Sequence, residues 1–568
     1  MKASRIAVVF LALLTSVCRA IPAQAEIKPN FLKDFLQRYR PANVTFPGTT
    51  SATPPQDLTN LIRTGQLPLT MGDLITLILQ NNLDINVNRL SPLSSQYLID
   101  TLYRQFEPTI HLQATVGRNT TPATTILAGA ANPSTLTGAY TVGFAQTLAT
   151  GTNVAIDATM NRTSSNSTFS TLNPSWSGSL RYSVTQHLAR DFGKFVNLHQ
   201  IRVAKNNEKI SEAQFERQLI DLVAQAQRAY WDLVFAAEDI KVKQRSVDLA
   251  QKTLSDNQIQ VQIGTLAPID IVQAESEVAN RKVQFVTSTY TEIQTQDQVK
   301  KLLTSQGDPG TVTAKLLPVE GVRKPEASDV LPVEEAIKVA LENRPEMKQM
   351  QLDLENKKID YEYTKNQLLP TVDVIAAYTQ TGVAGAKAAP SGIFNNNPNA
   401  AVNPDLIGGL GTAFGQVFSY NYTGYSAGIS IQIPLRNRAA QADNARAATD
   451  KRIAENRLTA QAQQIALEVR NALTQVEMNK AKIEAAQKAR ELAERRLDAE
   501  QKKFDLGAST IRFVLEEQRN VAQAQTDELQ SLVNYTKSLV DYDRAIGMTL
   551  KKNNIEIEKT LAVGVAAK

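Results

Sequence analysis

The chain has 568 residues, of which aromatics make up only 6% and tryptophan two, a balance unlike that of one large globular core and suited to long solvent-bathed helices. Its formal charge of +5 falls to 5 − 3 = +2 once Lys2, Arg5 and Arg19 of the first 25 residues are set aside. No local basic stripe remains, which excludes nucleic acid as a partner.

The first residues, "MKASRIAVVFLALLTSVCRAIPAQAE", combine a basic start, an apolar run from Ile6 to Leu14 and the small-residue site Ala23-Gln24-Ala25. This is the pattern of a secretory signal peptide, residues 1–25, cut after Ala25. The single cysteine, Cys18, leaves with it; "LTSVC" touches a lipoprotein cleavage box, but Val17 is bulky for the position before the cysteine, so loss rather than lipidation is the favoured reading. The mature chain then has no thiol chemistry. No later run reaches the ~18 apolar residues of a membrane helix, so a membrane could be crossed only as strands.

A Pro-rich extension, residues 26–66, precedes a helical pattern, "LTMGDLITLILQNNLDINVNRL". Pro108-Thr109 ends the segment after it, and Ile110, Leu112, Ala114 and Val116 then alternate with His111, Gln113 and Thr115, a strand with one apolar face. "SWSGSLRYSVTQ", with Trp176, Leu180, Tyr182 and Val184 alternating, is expected to pair with it. Between them lies an extra hairpin at 138–161, turning near Thr150-Gly151, which either lengthens an external loop, the favoured reading, or raises the strand count. Connectors such as "NRTSSNSTFSTLNP" are also expected to be loops. A long helix follows, 197–263, with Leu233, Ile240, Val247, Leu254 and Val261 at sevens, the seam of a left-handed supercoil. Gly264 then turns the chain into a return helix.

All of this happens twice. Pro370-Thr371 repeats Pro108-Thr109 at an offset of 370 − 108 = 262, and Gly507 repeats Gly264 at 507 − 264 = 243. The second copy opens with "LPVEEAIKVALENRPEMKQMQL", has strands after Pro370 and at "GYSAGISIQIPL", and contains the long Gly/Asn-rich connector "GIFNNNPNAAVNPDLIGGLGTAFG". Its long helix, 439–506, carries Val476, Ile483, Arg490, Leu497 and Phe504 on the seam. The copies are placed at 67–306 and 329–550, with a linker at 307–328 and a tail at 551–568. Internal duplication is the economical explanation. The expected fold class is α+β: long antiparallel coiled-coil hairpins plus membrane strands, four per chain, in two internal repeats.

Duplicated strand-strand-helix-helix units on an exported chain resemble the outer-membrane factor family, the TolC-like ducts. The resemblance is carried by "LQNN" and "LENR" in the opening helices, the two Pro-Thr joints, "TQHLARDFG" and "IQIPLRNR" at the strand-to-helix corners, and the two glycine tips. It spans about residues 67–550 and implies a homotrimer in the bacterial outer membrane, with a twelve-stranded barrel in lipid and a helical tunnel (an α-barrel) in the periplasm. The implied partners are a periplasmic adaptor and an inner-membrane efflux or secretion transporter, with no cofactor. Four strands alone cannot close a barrel with a lumen, which agrees.

The resemblance also implies sites. The tips Gly264, Thr265, Leu266 and Gly507, Ala508, Ser509 would dock the adaptor, although glycine past a helix end is also ordinary capping. Asp270 matches an acid at the tunnel aperture, and is equally readable as a solvated helix-start carboxylate. Relatives tie that acid to a Tyr and an Arg at the positions of Phe504 and Ser509, so the tie is missing here; Arg512 is the remaining donor and apolar packing around Phe504 and Phe513 the expected closure. Of the relatives' acidic ring at the positions of Phe513 and Glu516, only Glu516 keeps its charge, with Glu517 beside it.

His111, His187 and His199 are scattered without metal-ligand spacing, and no nucleophile motif or phosphate loop stands out, so neither a metal site nor an enzyme is expected. Other acids on the helices are expected on solvated faces with i,i+4 partners. The competing class, an adhesive coiled coil anchored by one β segment, predicts strands at one chain end; here they sit inside both halves.

Overall fold

The computed structural model describes residues 39–41, 65–125, 128–303, 313–322, 324–326, 329–388 and 402–556. The expected signal peptide with Cys18, nearly all of the extension 26–66, much of the linker and most of the tail lie outside these residues.

The first half runs β1 (Gln66–Leu69), α1 (Met71–Asn81), α2 (Leu83–Leu102), β2 (Thr109–Thr120), β3 (Ser134–Thr147), β4 (Thr152–Ser165), β5 (Leu172–His187), α3 (His199–Ile263) and α4 (Pro268–Leu303). The second runs β6 (Lys315–Pro318), α5 (Val333–Asn343), α6 (Pro345–Asn366), β7 (Thr371–Lys387), α7 (Leu410–Phe418), β8 (Thr423–Gln432), α8 (Arg438–Asp505) and α9 (Ile511–Ala545). The starts of α1 and α5, of α2 and α6, and of β2 and β7 are each 262 residues apart (333 − 71, 345 − 83, 371 − 109), and those of α4 and α9 are 511 − 268 = 243 apart.

Local chemistry sets the breaks. Thr70 and Asp73 form a reciprocal capping box at the start of α1. Asn82 caps α2, its Oδ1 accepting from the Asp84 and Ile85 amides at 2.9 and 3.3 Å. Its counterpart Arg344 holds the α5–α6 break differently, by ion pairs to Glu346 (2.9 Å) and Glu468 of α8. The short helices meet others end to end. Asn82 Nδ2 donates to the Leu302 carbonyl at the end of α4 (3.1 Å), and Lys551, just past α9, reaches Asn343 at 2.7 Å. α3 and α8, of 65 and 68 residues, thus span about 100 Å each and are flanked by stacked shorter helices.

On the supercoil seams, Leu233, Val247, Val476 and Ile483 are buried. The break at Arg490 is answered by Glu528 on α9, 2.9 Å away. The main core gathers α1, α3, the small parallel pair β1–β6 and the ends of α4 and α9, with Tyr230 buried and donating to the Leu69 carbonyl at 3.1 Å.

The large sheet has six strands in the order β2-β3-β4-β5-β7-β8, all neighbours antiparallel. This corrects the count of four. The extra hairpin is not an external loop: β3 and β4 stand in the sheet between β2 and β5, so β2 and β5 are not neighbours. Each hairpin strand has 14 residues, more than the ~9–11 that a tilted strand needs to cross a bilayer. "NRTSSNSTFSTLNP" shrinks accordingly to the short turn between β4 and β5, and the Gly/Asn-rich connector of the second copy contains α7. At the same point of each repeat, between two wall strands, the first copy inserts a hairpin and the second a helix.

Candidate functional site

Two regions carry functional geometry, the wall and the helical tips. In the wall, the registers align whole rows of side chains. Ile110, Phe144, Ile156, Tyr182, Tyr378 and Tyr425 are successive partners across all six strands. On the opposite face, Gln113, Thr141, Thr159, Ser179 and Thr381 do the same. The sheet therefore has one apolar and one polar face, the division of a wall between hydrocarbon and water. His111 lies on the polar face and reaches over Gly143 to Asp157 at 3.5 Å; His187 meets Asp373 at 2.6 Å; His199, beyond the sheet, stacks on Tyr363 with ring centroids 3.7 Å apart. Each histidine has a partner of its own on a different element.

The edges β2 and β8 are exposed along their full length. β2 leaves α2 and runs away from the helices, whereas β8 runs back towards α8. Two edges of opposite direction can pair antiparallel between copies of the same sheet.

At the far end of the helices, Gly264 and Gly507 adopt φ of 85° and 76° and close the same turn. The Thr265 amide reaches the Gln260 carbonyl and Gly264 that of Val261; Ala508 reaches Lys503 and Gly507 that of Phe504, at 2.8–3.0 Å. These are paired Schellman ends, which glycine permits because it has no Cβ to clash at positive φ. Thr265, Ala508 and the two glycines are exposed, and Leu266 and Ser509 are half-buried. Ser509 bonds Glu500 of its own hairpin, which helps hold the Glu500 carboxylate below the usual range.

The aperture residues are only partly brought together. Asp270 accepts from the Ala267 amide at 3.2 Å, a helix-start contact. Among the described residues no ion pair joins Arg512 to Asp270 or Glu516. Phe504 packs inside its own hairpin with Leu497, Ile511, Val514 and Leu515, whereas Phe513 is 50% exposed, so the two phenylalanines do not share a cluster within one chain. Arg512 and Glu516 are exposed and Glu517 is half-buried.

What ties the two hairpins together lies deeper. Glu277 and Arg281 of α4 are buried and paired at 2.6 Å; Arg281 also bonds Ser246 of α3, and Arg519 of α9 reaches Glu277 at 2.9 Å. Towards the sheet follow Asp239 with Ser288 and Thr526, Asp232 with Lys537, and Asp221 with Arg544, at 2.7–3.3 Å. The buried Glu277 and Asp239 depart from the expectation of solvated helix acids, whereas Glu491 with Arg495 and Asp498 with Lys502 meet it as exposed i,i+4 pairs. Asp232, Asp239, Ser246 and Thr253 recur every seven residues beside the apolar seam, a polar period visible in the sequence. Gln518 donates to Thr253 at 3.2 Å.

The sequence model of the outer membrane efflux protein family matches residues 149–305 and 336–548, well over half of the chain. The chain belongs to this family. None of the curated proteins compared matches it. Among solved structures, a membrane protein from Pseudomonas aeruginosa superimposes with a TM-score of 0.59 at 14% identity, covering 86% of this chain and 91% of its own. The CmeC outer membrane channel of Campylobacter jejuni gives 0.58 at 13% identity, covering 93% of this chain and 94% of its own. The open-state MtrE outer membrane channel of Neisseria gonorrhoeae gives 0.57 at 15%, covering 84% and 89%. At such identities the likeness shows the fold. Family membership makes the protein an outer-membrane efflux channel, with the sheet in the outer membrane and the helices in the periplasm.

Proposed function

We propose that three copies assemble into a passive export duct, each donating its six strands to one closed barrel and its helices to one periplasmic tunnel. The observation that carries this is the pair of unsatisfied edges, β2 and β8, on a sheet with one apolar face. Unpaired backbone groups are not tolerated in hydrocarbon, so the sheet must close, and pairing β8 of each copy with β2 of the next leaves no edge. Three copies give 3 × 6 = 18 strands. The tips Gly264–Leu266 and Gly507–Ser509 dock a periplasmic adaptor that couples the duct to an inner-membrane efflux or secretion transporter, and Asp270, Phe504, Arg512, Phe513, Glu516 and Glu517 line the aperture. The transporter supplies energy and selects cargo.

The decisive experiment places one cysteine on the polar face of β2, Gln113→Cys, and a second in turn at Gly424, Ser426, Gly428 or Ser430 on the same face of β8. Mild oxidation of the detergent-purified protein should yield covalent dimers and trimers from at least one pair, and the trimer should conduct in planar bilayers. Monomers from every pair, without conductance, would refute the duct.

A further inference from the structure

We propose that α7 is a membrane-embedded helix, lying on the outside of the barrel in the external half of the bilayer and seating Leu410, Phe414 and Phe418 among lipid acyl chains. The inference rests on the apolar face of the sheet pointing outward, as the duct requires, and assigns a role to a segment that the duct does not use.

Where α7 docks is decided by two glycines. Gly178 of β5 and Gly382 of β7 are register partners in the same row as Met160, on the apolar face. A Cβ on Gly382 would fall 2.2 Å from the Ala413 carbonyl oxygen, and one on Gly178 would fall 3.1 Å from Val417 Cγ2 and 2.9 Å from Met160 Cε. The two bare positions therefore form a notch into which the helix backbone sinks, burying Ala413 and Val417. Gln416 pins it, its Oε1 accepting from the Val383 amide at 2.9 Å and its Nε2 donating to the Asp405 carbonyl at 2.6 Å. The first of these bonds satisfies a backbone group of β7 beyond the point where β8 begins.

Among the described residues, Leu410, Phe414 and Phe418 are left exposed. Leu410, Phe414 and Phe418 recur every four residues, and the two rings, 53% and 51% exposed, touch edge to face with centroids 5.0 Å apart. Tyr420 and Tyr422 follow, also exposed, and no charged residue occurs between Asp405 and Arg436. A stripe of this composition, mounted on the outward apolar face, is continuous with the surface that meets lipid. Its depth is marked on the neighbouring strands. One row beyond the glycines, Arg162 lies over the Trp176 ring at 5.9 Å, the aromatic and snorkelling basic pair of a membrane boundary. The boundary lies at the strand ends remote from the helices, which is the external side.

The test uses the full chain with Cys18→Ser, which leaves no native cysteine. Single cysteines at Phe414 and, separately, Phe418 carry a nitroxide label, and the protein is reconstituted in phosphatidylethanolamine–phosphatidylglycerol vesicles. Collision with oxygen, which concentrates in hydrocarbon, is compared with collision with a polar nickel chelate. Val142→Cys on the apolar face and Thr141→Cys on the polar face serve as lipid and water standards. Labels at 414 and 418 should favour oxygen several-fold over the Thr141 label and sit at a shallower depth than the Val142 label. Labels that favour nickel place α7 in water, and labels reached by neither reagent place it against protein; either overturns the proposal while the duct stands. A Val142 label that favours nickel overturns the outward apolar face, and with it both readings.

Discussion

At the level of single residues, burial separates contacts that look alike in the sequence. Arg281 and Arg519 both pair with Glu277, but the first is buried and the second has a 57% exposed side chain. Removing Arg281 breaks the buried half of this arrangement and leaves Glu277 only the half-exposed Arg519; breaking a buried pair costs up to about 3–5 kcal/mol, whereas a surface pair contributes about 0.2–1 kcal/mol. Arg281→Ala should therefore lower the thermal midpoint of the helical signal much more than Arg519→Ala. The double change Glu277→Leu/Arg281→Leu should recover most of that loss, since apolar packing can replace a buried pair. A second residue-level prediction concerns pH. Burial would raise the Glu468 carboxyl, but hydrogen bonds from Arg344 and Gln464, with the charges of Arg344 and Arg544, hold it below the usual range. A carboxyl lowered on folding contributes stability above its unfolded pKa and loses it as pH falls through the folded value. Glu468→Gln should thus destabilise the protein at neutral pH and match the wild type well below about pH 4, as read from unfolding midpoints across pH.

Whole elements show what was legible in the sequence and what was not. The offsets of 262 and 243 located α1, α2, β2, α4 and their counterparts because duplication copies local signals: the caps, the prolines and the glycine ends. The place of β3 and β4 was not legible, since alternation identifies a strand and its two faces but not its neighbours. α7 was hidden for another reason. Gly411 and Gly415 weaken its intrinsic helicity, and what holds it is the notch at Gly178 and Gly382, distant in sequence. The Glu277–Arg519 contact was hidden similarly, because it joins residues 242 positions apart. The glycine tips allow a direct test. A Cβ on Gly507 would meet nothing within 4 Å, so its only penalty is the positive φ. Gly507→Ala should cost about 1–2 kcal/mol locally and Gly507→Asn distinctly less, because asparagine tolerates that conformation. Hydrogen exchange at the amides of 503–511 should rise most in Gly507→Ala and less in Gly507→Asn.

In the proposed trimer, the strand count decides whether barrel and tunnel fit. Four helices per chain lie side by side near the tips, α3, α4, α8 and α9, and four near the sheet, α2, α3, α6 and α8. Twelve helices from three copies, spaced 8–10 Å, give a perimeter of about 95–120 Å. Eighteen strands about 4.8 Å apart and tilted about 40° give about 110 Å, whereas twelve would give only about 75 Å. On this arithmetic the β3–β4 hairpin brings the barrel to the girth of the tunnel, so that the duct need not narrow where it enters the membrane. Replacing Ser134–Ser165 by a short turn that lets β2 pair with β5 should then leave a trimer with a tighter barrel. With the proposed aperture held open, wild-type and shortened trimers should differ in single-channel conductance, the shortened one conducting less. Equal conductance would place the narrowest point in the tunnel under both conditions and take the hairpin out of pore sizing. Failure to assemble would instead make β3 and β4 indispensable to closure of this barrel.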